Sequence, residues 1–280
     1  MNAFSSEPPA GPRLTPSQIA AYDRDGIIKI TLPPAVSRLR QQFLQETAEW
    51  LVGVGQPAID IANLPAQLAR LAGQDRPLIA RLYKIARRFP AAKQLACAPF
   101  FVALAQELMR TALVSCCHFV NVRIDLPDED RFLLDAHQDF PFIQGSLNGL
   151  TVWLPFTTTP LPMGPPSCIL GSHRWGMLPV TEYGPAETGG SGGKSFRIAD
   201  QPRLEAGLFV NWAVEADEAL VFSTLLVHRS ERNQSPLARL NAQLRFDDAL
   251  AGESFDRNYP EGLYLGDRLA TTYPEYIQRP

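Results

Sequence analysis

The chain predicts an α+β fold built on a β-sandwich or barrel. Helical periodicity fills the chain up to about residue 112. From residue 113 to about 247, short apolar runs follow one another at fairly even spacing, divided by turn residues. Proline numbers 25 of 280, roughly twice the usual share near 5%. That disfavours a bundle of long helices and favours short strands joined by shaped loops.

Residues 1–13 are rich in Pro, Ser and Gly and predict a disordered start. In LTPSQIAAYDRDGIIKI, Thr15 is placed to cap a helix with Pro16 at its first position. Asp25-Gly26 ends that helix before the strand-like IIKI. Residues 34–52 and 77–110 carry helical periodicity; after Pro99, Phe100, Phe101, Leu104 and Leu108 fall on one face. The strand-like runs are VSCCHFVNVRIDLP, FLLDAHQDF, LNGLTVWLPF, AGLFVNW, EALVFS, LLVHRS and RLNAQLRF. A Gly-rich polar break covers 183–206 and reads as a surface loop or a lid. Residues 249–280 read as a polar tail with scattered Tyr and Pro. The helices are expected to cover one outer face of the sheet, within a single domain spanning 14–280.

Lys plus Arg number 26 and Asp plus Glu 29, a net charge of −3. This gives no basis for a nucleic-acid surface or a polybasic membrane tether. Apolar stretches such as Leu220–Val227 are far shorter than a spanning helix needs. The N-terminus lacks the pattern of a secretory signal. Cys97, Cys116, Cys117 and Cys168 form no C-x-x-C pair, which points to neither a disulfide framework nor a zinc knuckle. The expected compartment is the cytoplasm.

His137-Gln138-Asp139 stands at the end of an expected strand, where residues i and i+2 share a face. An imidazole and a carboxylate aimed together make two-thirds of a facial 2-His-1-carboxylate triad, which holds Fe(II) and leaves three positions open. His228, after the apolar run ALVFSTLLV, is the best third ligand. Read blandly, His137 is a half-buried strand histidine bonded to Asp139. Arg239 follows His228 by eleven residues and opens another strand-like run. Its planar fork suits a carboxylate held near a metal. Ser230 shares a face with His228 and can add a hydroxyl to that carboxylate.

Together these pieces resemble the phytanoyl-CoA dioxygenase family of iron(II)- and 2-oxoglutarate-dependent oxygenases. The family pattern is H-x-D, a Gly-Ser-His turn, then a distal His with Arg eleven residues later. Here those are His137/Asp139, Gly171-Ser172-His173, His228 and Arg239, and the opening segment from Leu14 resembles the family's first helix and strand. The resemblance spans residue 14 to about 247. It implies a double-stranded β-helix, a cupin-like jelly-roll, with N-terminal helices buttressing one sheet. It implies Fe(II) on His137, Asp139 and His228, and 2-oxoglutarate and O2 as co-substrates. The co-substrate carboxylate is expected on Arg239 and Ser230, with Trp153 and Asn121 in the same pocket. Core packing for Trp153 and a buried polar pair of Asn121 with Arg123 are the plain alternatives. His173 is a less favoured third ligand, because only His228 has Arg239 at the family spacing. His118 is expected to pack beside Val120 and Val122.

Halogenating relatives replace the ligand carboxylate with a small residue. Asp139 is present here, so the resemblance implies hydroxylation or a related oxidation of an unactivated C–H bond in a small molecule, with release of succinate and CO2. The competing readings are a non-catalytic jelly-roll binding protein and a cupin-type metalloenzyme that does not use 2-oxoglutarate. Arg123, Arg174 and Arg197 are candidates to meet an acidic group of a substrate.

Overall fold

The computed structural model describes residues 14–183, 195–262 and 268–278. The segment expected to be disordered, 1–13, lies outside them, as do residues 184–194 of the expected lid.

Helix α1 (Pro16–Asp25) starts where the sequence places it. Thr15 accepts from the Gln18 backbone N–H, and the Gln18 side chain returns a contact to the Thr15 backbone, a full capping box. Gly26 ends the helix at φ 75°, a conformation open to glycine at little cost. Strand β1 (Ile27–Thr31) and helix α2 (Pro34–Gly53) follow. The periodic stretch 77–110 is broken into α4 (Arg76–Ala86), α5 (Pro90–Ala96) and α6 (Pro99–Met109), preceded by α3 (Leu64–Gln74). Pro90 and Pro99 each open a helix, because a proline ring cannot continue the preceding one.

Two antiparallel sheets carry the rest. The larger contains β1, β9 (Glu218–Ser223), β4 (Gly149–Pro155), β11 (Arg239–Asp248) and β2 (Val114–Cys116) in that order, with β3 (Asn121–Asp125) also paired to β11. The smaller holds β10 (His228–Arg229), β5 (Ser167–Ile169) and β8 (Phe209–Val210). Strands β6 (Val180–Tyr183) and β7 (Ser195–Ile198) form a separate ribbon. The expected Gly-rich break is therefore narrower than 183–206, since β7 and a short helix, Gln201–Glu205, lie within it.

Strand alternation sorts the side chains. Leu240, Ala242, Leu244 and Phe246 of β11 pack with Leu150, Val152 and Leu154 of β4 against helices α2–α6. Each of the leucine, valine and phenylalanine side chains, fully buried, contributes about 1.5–3 kcal/mol. On the opposite face, Trp153, Leu220 and Phe222 of the large sheet meet Cys168 of the small one. The intervening residues of β11 on that inner face are Arg239, Asn241, Gln243, Arg245 and Asp247. A charged stripe lines the space between the sheets.

Three expectations change. FLLDAHQDF is not a strand: His137 makes a single bridge to His228, and a short helix, α7 (Phe140–Ile143), begins right after Asp139. Pro141 sits in its first turn, where a missing N–H costs nothing. His118 is exposed in the break between β2 and β3, outside the core with Val120 and Val122. The tail packs inward, with Leu269 and Tyr273 fully buried beside Phe140.

Candidate active site

His137, Asp139 and His228 come together, all buried, with one ligand atom from each within 4.8 Å of the others. Nε2 of His137 lies 3.7 Å from Asp139 Oδ1, and Nε2 of His228 lies 3.8 Å from it. The backbones of the two histidines exchange both hydrogen bonds, each 2.9 Å. Asp139 then turns in at the helix start rather than along a strand, its N–H donating to Thr224 O at 2.9 Å. The expected i, i+2 strand geometry is thus replaced by a bridge followed by a helical turn.

Each imidazole is oriented from behind. His137 Nδ1 sits 2.7 Å from Asp135 O, and His228 Nδ1 3.0 Å from Leu226 O. A carbonyl only accepts, so Nδ1 carries the proton and Nε2 keeps its lone pair for a metal. Burial, with His137 alongside, pushes His228 down to about 4, so it is neutral near pH 7. Burial pushes the Asp139 carboxyl up, but Arg245 and the two histidines more than offset this and hold it well below the usual carboxylate range. Two imidazoles that present Nε2 and an ionised carboxylate form a donor set that fits Fe(II) and other divalent first-row metals.

A narrow cavity opens beside this triad. Its walls include His137, His228, Trp153, Ser230, Arg239 and Gln243. Arg239 is buried and lies 3.0 Å from Asp125, which also pairs with Arg123 at 2.6 Å. Burial pushes Asp125 up, but the two guanidinium groups hold it well below the usual carboxylate range. Two guanidiniums thus share the Asp125 carboxylate at this end of the cavity. Asn121 is set back from the cavity: its amide donates to Gln243 Oε1 at 2.9 Å, and Gln243 forms the wall.

His173 is elsewhere. Its ring lies against Gly26, and Nε2 is 3.2 Å from Asp23 O. Its neighbour Ser172 accepts the Val227 N–H at 2.8 Å and so braces the residue before His228. Arg174 is directed at the carbonyls that end α1, and Arg197 belongs to the outlying ribbon. Of the three arginines considered for a substrate, Arg123 alone lines the cavity.

The family model described as phytanoyl-CoA dioxygenase matches residues 74–240, more than half of the chain. The chain belongs to the phytanoyl-CoA dioxygenase family. Like other members of this family, it is an iron(II)- and 2-oxoglutarate-dependent oxygenase. No curated protein matches the sequence.

Solved structures share the family's jelly-roll fold. The epimerase SnoN in complex with Fe3+, alpha ketoglutarate and nogalamycin RO is 20% identical, with 83% of each chain covered and a TM-score of 0.55. The carbocyclase SnoK from nogalamycin biosynthesis is 16% identical over 89% of this chain and 92% of its own, at 0.56. EctD from S. alaskensis with bound Fe is 16% identical over 99% and 85%, at 0.58. At such identities the likeness concerns the fold.

Sequence reasoning missed Asp125, Thr151, Gln243 and Arg245. Arg245 and Gln243 lie at even spacing from Arg239 on one strand, a signal already present in RLNAQLR. Thr151 and Asp125 needed the strand register, which puts Thr151 opposite Arg245 and Asp125 opposite Arg239.

Proposed function

We propose that His137, Asp139 and His228 hold Fe(II), and that Arg239 and Ser230 receive the far carboxylate of 2-oxoglutarate. The enzyme then hydroxylates an unactivated C–H bond of a small-molecule metabolite, releasing succinate and CO2. The observation that carries this reading is one cavity shared by the two triad histidines, Ser230 and Arg239. When bound, iron with 2-oxoglutarate and O2 supplies the oxidising power. The protein's part is positional. Asp135 O and Leu226 O fix the histidine tautomers. Arg239 and Ser230 orient the co-substrate, while Trp153 and Phe222 form apolar wall.

Residues 14–280 act as one domain in this reading, and a reducing cytoplasm suits both an iron(II) site and four thiols. SnoN is crystallised with nogalamycin RO, which supports a small organic molecule as substrate here. No helix among the described residues is long and apolar enough to cross a membrane.

The test is an anaerobic titration of the apoprotein with Fe(II) and 2-oxoglutarate, followed by visible absorption. A weak charge-transfer band that needs both additions is expected. A folded, iron-loaded protein without that band would refute the co-substrate assignment and favour a cupin-type or non-catalytic role.

A further inference from the structure

The fold treats the two oxygens of Asp139 differently. Oδ2 accepts from Thr151 Oγ1 at 2.6 Å and from Arg245 Nε at 3.1 Å. Oδ1 faces both histidine Nε2 atoms, and its contact with Arg245 Nη2 is longer, at 3.4 Å. That Nη2 makes its short contact, 2.6 Å, with Gln243 Oε1. Gln243 Oε1 therefore accepts twice, from Arg245 and from Asn121, and its amide N–H pair remains for the cavity it lines.

We propose that Arg245, with Thr151, is a positioning residue that occupies Oδ2 of Asp139, so that the carboxylate offers a metal Oδ1 alone. Through Gln243 it ties that setting to the co-substrate cavity. The inference rests on the reading of His137, Asp139 and His228 as iron ligands. A carboxylate beside a metal can bind through one oxygen or both. Three facial ligands leave three positions, two of which a chelating co-substrate takes. A second oxygen from Asp139 would fill the last. Filling Oδ2 with two donors on neighbouring strands, registered opposite each other, keeps that position open.

The sign of one effect separates this role from simple support. Arg245 places a positive charge beside the metal site and shares the charge of Asp139, so it opposes metal binding while it sets the geometry. Its removal should leave affinity intact or raise it; loss of a merely structural residue would lower it.

The experiment uses the full chain with Arg245→Met and Arg245→Lys, and Co(II) as the metal probe. Arg245→Met is expected to bind Co(II) at least as tightly as the wild type. The visible Co(II) absorption should weaken as the coordination number rises. Uncoupled succinate release by the Fe(II) protein should fall by about 10- to 100-fold, the usual scale for groups behind a ligand. The 2-oxoglutarate KM should stay within about threefold, as expected for a loss outside co-substrate binding. Arg245→Lys should regain part of the rate. A drop of about tenfold or more in Co(II) affinity at unchanged melting temperature, or an unchanged rate of release, would overturn the proposal. If Arg245→Met does not fold, Thr151→Val vacates the same oxygen and is read by the same measurements. A wild type that binds Co(II) yet never responds to 2-oxoglutarate refutes the proposed function. A responsive wild type with an Arg245→Met variant identical to it refutes only the role of Arg245.

Discussion

Replacing Arg239 with Met tests the co-substrate end of the cavity and separates two roles of one side chain. The Arg239 side chain is 4% exposed and that of its partner Asp125 10%. Removing one member of a buried ion pair costs roughly 3–5 kcal/mol, because the other charge is stranded. Asp125 still keeps Arg123 at 2.6 Å, so about 3 kcal/mol is the reasonable figure here. At about 2–4 °C per kcal/mol for a chain of this size, the melting temperature should fall by roughly 6–12 °C. A charged hydrogen bond to the 2-oxoglutarate carboxylate is worth about 1.5–3 kcal/mol, so its KM should rise about 10- to 100-fold. The variant Arg239→Lys keeps a positive charge beside Asp125 but loses the planar fork. Its melting temperature should recover most of the loss, while the 2-oxoglutarate requirement stays above the wild-type level, because the planar fork is still missing. Thermal melts and succinate release against 2-oxoglutarate concentration measure both. An Arg239→Met variant with wild-type co-substrate dependence would refute the reasoning: Arg239 would then serve Asp125, not the co-substrate.

Three further outcomes are expected. Asp139→Gly should abolish turnover and remove one member of a buried ion pair, at a cost of about 3 kcal/mol; chloride at constant ionic strength should raise its melting temperature and shift the metal's absorption. Burial, with Asp139 adding to it, raises Asp247 from 3.8 to about 7, although the Ser146 N–H and Arg245 pull it back. The folded protein therefore holds the extra proton between those values and loses stability as pH rises from about 4 to 7; Asp247→Asn should remove that slope in melts across pH and gain about 1–2 kcal/mol at pH 7.5. Gly26→Ala would set a Cβ against His173 Nδ1 at a φ of +75°; a loss of about 1–3 kcal/mol is expected, relieved in part by His173→Ala.

The metal donors were legible because few residue types serve that chemistry and their spacing is local. His137 and Asp139 are two apart, and His228 and Arg239 share one stretch of chain. The α1 cap, the β4, β9 and β11 strands and the helix-covered sheet face were legible for the same reason: period and capping are properties of neighbouring residues. The helices of 77–110 were legible as periodicity, and the start at Pro99 with them, though the separate start at Pro90 was not drawn. The strand expected over 132–140 fails because His137 is held by pairing to His228, 91 positions away, and Pro141 favours a helical start. The tail was misread because Leu269 and Tyr273 are isolated apolar residues in a polar context, and their burial depends on Phe140 from another part of the chain.

By itself, then, the sequence determined the inventory: two histidines and a carboxylate whose chemistry suits a metal, an arginine whose fork suits a carboxylate, and a strand whose polar and apolar residues alternate. The tertiary structure decided which atoms of that inventory are used. It sets Asp125 between two arginines, puts Asn121 behind Gln243, and gives Oδ2 of Asp139 to Thr151 and Arg245. Those choices follow from register across β3, β11 and β4. Register is fixed by burying Leu240, Ala242, Leu244 and Phe246 against the helices, because a slip of one residue would turn every one of them toward the charged interior.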